Sequence, residues 1–318
     1  MGTPVFISLG SNLGDRKGQI ESALTALSEA PDVVVRAASP LHETLPVGGP
    51  GGQGAFLNAA AALETNLEPV DLLSLLQSIE HRAGRIRTVR WGERPLDLDL
   101  LLYGDHRIHT IRSPGGGQDA IELIVPHRRM AVRRFVLSPL AEIARDAIDP
   151  CTGRTVAALL ANLDRRPSFV ALHHRCPSRE SLFSRLVPRL SAIGFYYGEV
   201  PSNDEPGAEN WYDRRRRELH SENWPAETWG DRLFVTDVWF DEPLREGLPP
   251  PGVESRYEDE PAEVRSRMIS PTFVVATHVP GLPPATSVNP TLRLEADSVE
   301  AMVEEIASAC QASRVGRG

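Results

Sequence analysis

The chain has 318 residues, 41% hydrophobic and 24% charged, which is enough apolar content for two ordinary globular domains. A net charge of −9 excludes the broad basic surface that general nucleic-acid binding needs, so any polyphosphate site must be a local cluster of arginine. Lys17 is the only lysine, and its context does not fit the end of a Walker-type phosphate loop.

Val5–Leu9 is a short apolar run ending in Gly10-Ser-Asn-Leu-Gly-Asp15, which predicts strand, turn and helix start. A helix follows over Arg16–Ala30, with Ile20, Leu24 and Leu27 on one face. Val33–Ala38 is β-branched and predicts a second strand; Gly48–Gly54 is a glycine-rich loop; Ala55–Glu64 predicts a third strand. Pro69–Arg82 carries Leu72, Leu73, Leu76 and Ile79 at helical spacing. Leu96–Tyr103 predicts a fourth strand, Ser113–Asp119 a loop with three glycines, and Ala131–Ile143 a helical turn with the packing residues of the last core element. The order β, α, β, β, α, β predicts an α+β, ferredoxin-like domain whose helices cover one face of the sheet and leave the other for a site.

Leu163–Pro167 predicts a boundary, giving domains 1–165 and 167–318. Seventeen basic and 19 acidic residues in 1–165 leave −7 of the −9 to the remainder. There Phe169–Leu172, Leu233–Phe240, Ser270–Thr277 and Pro290–Leu294 are strand-like, Ser181–Leu190 and Ser298–Ser308 helical, and 199–231 and 241–266 polar. Alternating strands and helices predict an α/β domain with a parallel sheet. His173, His174 and Cys176 are zinc-ligand types that lack a fourth partner. Cys151, Cys176 and Cys310 are scattered, which suits a reducing cytoplasm. No run of about 20 apolar residues or basic leader occurs, so neither a membrane span nor a signal peptide is expected.

The chemistry concentrates in Arg85-Ile-Arg87-Thr-Val-Arg90-Trp91-Gly92-Glu93-Arg94-Pro95-Leu96-Asp97-Leu98-Asp99. Alternation along a strand projects Asp97 and Asp99 to one face. Two adjacent carboxylates repel unless a cation intervenes, and Mg²⁺ takes one or two carboxylates together with substrate phosphates. An Asp-x-Asp pair alone is more often a solvated strand face. Four arginines beside it, each a fork of donors matched to phosphate oxygens, shift the balance toward a nucleoside triphosphate. Phe56 and Phe135 offer walls for a planar heterocycle, though Phe56 taken alone fits a core better, and Asn58 offers a donor and an acceptor. Gln77 and Glu80 share a helix face, and His127 sits among Arg128, Arg129 and Arg133.

Residues 1–160 thereby resemble the hydroxymethyldihydropterin pyrophosphokinase family. The likeness runs in order through Gly10–Gly14, Glu43-Thr44, Pro46, Phe56–Ala59, Ile79-Glu80, Gly84-Arg85, Arg90–Gly92, Arg94, Leu96–Asp99, Tyr103, Val125–His127, Arg133, Phe135–Leu137, Pro139-Leu140 and Glu142–Ala144. It implies ATP-dependent diphosphoryl transfer to 6-hydroxymethyl-7,8-dihydropterin, with AMP released, in folate biosynthesis. It implies two Mg²⁺ ions on Asp97 and Asp99, catalytic support from Arg85 and Arg94, and ATP contacts from Gln77, Glu80, Arg87, His127 and Arg133. Thr44, Pro46, Val47, Phe56, Asn58, Trp91 and Phe135 would form the pterin pocket. Small molecules are the implied partners, with no nucleic acid and no membrane, and the expected location is the cytoplasm. Glu93 and Pro95 depart from the family's usual Pro and Thr, and Leu45 and Arg128 also depart. The C-terminal order of elements resembles a degenerate deoxynucleoside kinase of the P-loop class, since His173–Glu180 stands where Gly-rich sequence and Lys belong. The runner-up for the whole chain is a nucleotide-binding regulatory or scaffold protein without turnover.

Overall fold

The computed structural model describes residues 2–85, 92–112, 121–164, 168–173, 178–195, 233–239, 272–277, 290–294 and 298–314. Among these, one compact unit takes in residues 2–164 together with 304–314 from the far end of the chain, and a second unit takes in the rest.

The first unit opens β1 (Thr3–Ser11), α1 (Arg16–Ser28), β2 (Val33–Ala38), β3 (His42–Thr44), β4 (Phe56–Thr65), α2 (Pro69–Arg82) and β5 (Asp97–Tyr103). Its sheet runs β2-β4-β1-β5, antiparallel throughout, with β3 added to β4. That is the split βαβ order expected of the sequence. β1 is longer than its apolar run because pairing with β4 continues from Thr3↔Thr65 to Ser11↔Leu57, so hydrogen bonding sets its length. Asp15 caps α1 by accepting from the Gly18 N–H at 3.0 Å. Pro69 at the first turn of α2, with His81 and Arg82 in its last, matches the helix polarity.

Ile20, Ala23, Leu27, Leu72, Leu76 and Ile79 from α1 and α2 pack on Val5, Ile7, Leu9, Ala61, Leu63 and Leu98 of the sheet. The opposite face is not left free, contrary to the sequence expectation. A β6 (Ile108–Arg112)–β7 (Ile121–Val125) hairpin, a 3₁₀ turn at Met130–Val132, α3 (Arg134–Ala144) and α4 (Val156–Asp164) follow β5. Val136, Leu137, Leu140, Val156 and Leu159 form a second core with Phe6 and Ala60. The small Ala60 side chain lets α3 approach the sheet. This packing covers part of the face, and the polar residues further along β1, β4 and β5 remain for a cavity.

The second unit holds β8 (Ser168–His173), α5 (Arg179–Arg189), β9 (Ile193–Phe195), β10 (Leu233–Trp239), β11 (Phe273–Thr277) and β12 (Thr291–Leu294). Every pairing is parallel, in the order β12-β11-β8-β10-β9. Its core includes Val170, Leu172, Leu182, Leu186, Val235, Phe273 and Val275. The last helix, α6 (Val299–Ala312), carries Glu304–Ala312 into the first unit. Among the described residues no helix is long and apolar enough to cross a membrane.

Candidate active site

A cavity of about 490 Å³ opens on the first unit, a volume suited to small-molecule ligands. Its floor is β1 and β5. Ser8 pairs with Asp99 and Gly10 with Asp97, so the two carboxylates rise side by side from alternate positions of β5. At Gly10 a Cβ would point toward Asn58 Oδ1 (3.5 Å), Asp97 Cβ and Phe56 Cδ1 (both 3.9 Å); glycine keeps that part of the floor open.

The carboxylates face arginine. Arg85 Nη1 lies 2.5 Å from Asp97 Oδ1, and Arg94 Nη1 donates to Asp97 Oδ2 at 2.9 Å. Arg133 Nη1 is 3.5 Å and His127 Nε2 3.9 Å from Asp99 Oδ2. Arg85 reaches this position because α2 ends at Arg82 and the chain turns at Gly84, whose φ of +84° costs a side-chain-free residue little. The chain turns back, and the Arg85 N–H donates to the Glu80 carbonyl at 3.1 Å. Arg94 is fixed by Asn12 at the end of β1. Asn12 Oδ1 accepts from the Arg94 N–H at 2.8 Å, and the Asn12 N–H donates to the Arg94 carbonyl at 3.2 Å. The Arg94 guanidinium then lies 5.9 Å from the Phe56 ring centroid.

Glu80 is 3% exposed, underneath rather than inside the cavity. Its Oε1 pairs with Arg85 and accepts from the Leu98 N–H at 2.7 Å. Burial pushes its pKa up to about 7, aided by Asp97 and opposed by Arg85. Gln77 on the same helix is half-buried, and neither residue belongs to the described cavity lining. His127 is depressed well below the ordinary imidazole range by burial and then by Arg133, Arg129 and Arg128. Its Nδ1 accepts from the Arg129 N–H at 3.3 Å, which assigns the proton of the neutral ring to Nε2, toward Asp99. Burial and Arg129 lower Arg133 to about 10, so it stays charged at pH 7.

The other end of the cavity suits a heterocycle. Asn58 Nδ2 donates to Thr44 Oγ1 at 2.8 Å; both residues are buried, and pairing of β3 with β4 brings them together. That bond orients the amide and leaves its oxygen beside Gly10. Pro46, Val47, Phe56 and Phe135 complete the lining, with Leu45, 71% exposed, at the mouth. Arg133 lies 5.5 Å from the Phe135 ring centroid.

The fold brings together Thr44, Pro46, Val47, Phe56, Asn58, Arg85, Arg94, Asp97, Asp99, His127, Arg133 and Phe135, all in the lining. Arg87, Arg90 and Trp91 lie outside the described residues, as do His174, Cys176 and the glycines at 115–117. Glu93, the acidic departure in the arginine stretch, accepts from the Gly54 N–H at 3.2 Å and ties the two loops. Sequence reasoning missed Ser8 and Gly10 as floor, Asn12 as clamp, and Arg129, Glu305, Ser308, Ala309 and Ala312 as lining. Gly10 and Asn12 stood in a motif already noted, whereas the α6 residues carry no local signal.

Asp97 and Asp99 are hard oxygen donors on one face, which fits magnesium. Among the described residues no group of three or more His, Cys, Asp or Glu could hold a metal ion.

A family model described as 7,8-dihydro-6-hydroxymethylpterin-pyrophosphokinase (HPPK) matches residues 6–145. A 2-amino-4-hydroxy-6-hydroxymethyldihydropteridine pyrophosphokinase of Pseudomonas aeruginosa is 45% identical over 157 residues, 49% of this chain and 90% of that protein. The protein of the same name from Bacillus subtilis is 44% identical over 145 residues, 46% of this chain and 80% of its own. A crystal structure of Plasmodium falciparum HPPK-DHPS A437G with SDX-DHP matches at 11% identity and a TM-score of 0.40, over 61% of this chain and 55% of that chain. A likeness of that size carries no weight for the fold.

Proposed function

The chain belongs to the 7,8-dihydro-6-hydroxymethylpterin-pyrophosphokinase family, and from that membership we propose how its own residues divide the work. The reaction moves a diphosphate from ATP to the hydroxymethyl group of 6-hydroxymethyl-7,8-dihydropterin in folate synthesis, leaving AMP. Two carboxylates on a single face of β5, within a ring of arginines at the floor of one cavity, support this division of roles.

Asp97 and Asp99 would hold two magnesium ions, which when bound would offset charge on the polyphosphate and the pterin hydroxyl. The chain's other residues bind and orient. Arg85, Arg94 and Arg133 now satisfy the carboxylates; with metal and triphosphate present they exchange carboxylate for phosphate oxygen and become bidentate clamps. Neutral His127 donates from Nε2 to a phosphate oxygen without adding charge. Glu80 acts through Arg85, which it holds at the rim of α2. Gln77, Arg87 and Trp91 keep their family roles as ATP and pterin contacts. Asn58, oriented by Thr44, reads the amide edge of the pterin between Phe56 and Phe135, with Pro46 and Val47 as backing. The hydroxyl attacks the β-phosphorus in line and AMP departs, with guanidinium groups meeting the developing charge.

Residues 1–165 would carry this activity. For the second unit, which excludes 304–314, we infer a kinase-like α/β module without catalysis, supported by its parallel five-stranded sheet with β8 at the centre. We place the chain in the cytoplasm, a setting suited to three scattered cysteines.

Asp97→Ala and Asp99→Ala should each reduce pterin-dependent AMP formation by at least about a thousandfold while leaving the melting temperature near that of the parent. Turnover surviving in both variants would remove the metal assignment.

A further inference from the structure

Glu305, Ser308, Ala309 and Ala312 occupy one face of α6, and that face lines the same cavity as Asp97 and Asp99. Two anchors hold it there. Glu305 is 2% exposed, and its Oε1 accepts from Nε and Nη2 of Arg129 at 3.1 and 2.5 Å. Arg134 Nε donates to the carbonyl of buried Ser313 at 3.2 Å. Arg129 is bonded through its backbone to His127, and His127 and Arg133 both face Asp99. Thr44, Asn58 and Phe56 gather instead around Gly10 and the heterocycle end. The α6 face therefore borders the polyphosphate end of the cavity.

We propose that the C-terminal helix is a wall of the ATP site, and that Glu305 sets nucleotide affinity by placing a carboxylate on Arg129, at the end of the cavity where Arg133 and His127 would receive the phosphates. Small side chains at 308, 309 and 312 leave room for the nucleotide, while Glu305 balances Arg129 and weakens the cavity's pull on a polyanion. This rests on reading the cavity as the ATP and pterin site. It adds a contribution from beyond residue 145, where the family match ends.

The full-length chain tests it by steady-state AMP formation with ATP and hydroxymethyldihydropterin varied separately. Glu305→Gln keeps the shape and one acceptor for Arg129 while removing the charge. It should lower KM for ATP about threefold and leave KM for the pterin unchanged. The gain should shrink between roughly 0.1 and 1 M salt, as the Debye length falls from about 10 to about 3 Å. A purely structural Glu305 would shift the melting temperature without a salt-dependent KM. Ser308→Trp should raise KM for ATP about tenfold or more by filling the wall. An unchanged or raised KM for ATP in Glu305→Gln overturns the charge role, and an unchanged KM for ATP in Ser308→Trp overturns the wall. Absence of pterin-dependent AMP from the unsubstituted chain would instead unseat the reading of the cavity itself.

Discussion

Glu80 is the residue whose chemistry is most altered by the fold. Buried under β5, it keeps Arg85 and the Leu98 N–H satisfied, yet burial raises its pKa to about 7 from an ordinary value of 4.5. The unfolded chain releases this proton more readily than the folded one, so the contribution to stability is complete below pH 4.5 and is lost as pH rises through about 7. The shift is worth at most about 3 kcal/mol, since Arg85 shares the charge. Glu80→Gln retains a carbonyl for Leu98 and removes the titration. Its melting temperature should fall by several degrees less than that of the parent between pH 5 and 8. Parallel curves for the two proteins would show that Glu80 is already ionised throughout. At this scale the sequence displayed identity but not burial. The spacing of Asp97 and Asp99 was readable because strand alternation is a local rule. That Glu80 sits below Arg85 depends on the Gly84 turn, and a Gln/Glu pair on a helix looks like surface until the sheet is placed over it.

Elements decide how firmly the arginine stretch is held. β1 ends at Ser11, and the next residue, Asn12, fastens the chain at Arg94, 82 residues later, through its backbone N–H and its Oδ1. Its Nδ2 also donates to Gln53 Oε1 at 3.3 Å, so one side chain joins the strand end, the glycine-rich loop and the arginine segment. Asn12→Ala leaves the Arg94 N–H without this acceptor. It should cost about 1–2 kcal/mol in urea unfolding and raise KM for ATP severalfold, with kcat lowered less. A variant with the parental KM would mean that Arg94 is positioned by Asp97 and Phe56 alone. The β-α-β-β-α-β order was legible because each long element had its own period and end signals. β3 and the β6–β7 hairpin were not, since three- and five-residue strands carry too little alternation to stand out. The cover over the second sheet face was missed for a related reason. α3 and α4 are short, and their apolar faces only acquire meaning once Phe6 and Ala60 are known to point toward them.

Across the whole molecule, the first unit is built from both ends of the sequence. Residues 304–314 pack with 2–164, and the bonds that hold them, Arg129 to Glu305 and Arg134 to Ser313, span 176 and 179 positions. No periodicity or motif anticipates a contact that distant, so the return of α6 was not visible in the sequence. Arg134 is the better probe of that return, because it is buried on α3 and its Nη2 also donates to Asp164 Oδ1 at 2.6 Å. Arg134→Met keeps the aliphatic stem and deletes the donors. Losing them leaves the Ser313 carbonyl and the last turn of α6 with fewer restraints, so local opening should become easier than global unfolding. Amide exchange over residues 304–314 should accelerate by about tenfold, equivalent to about 1.4 kcal/mol, with β1 and β4 protected as before. Since Glu305 and Ser308 depend on that docking, KM for ATP should move in the same variant while KM for the pterin stays. Unaltered exchange in the C-terminal helix would show that apolar packing alone holds it to the first unit.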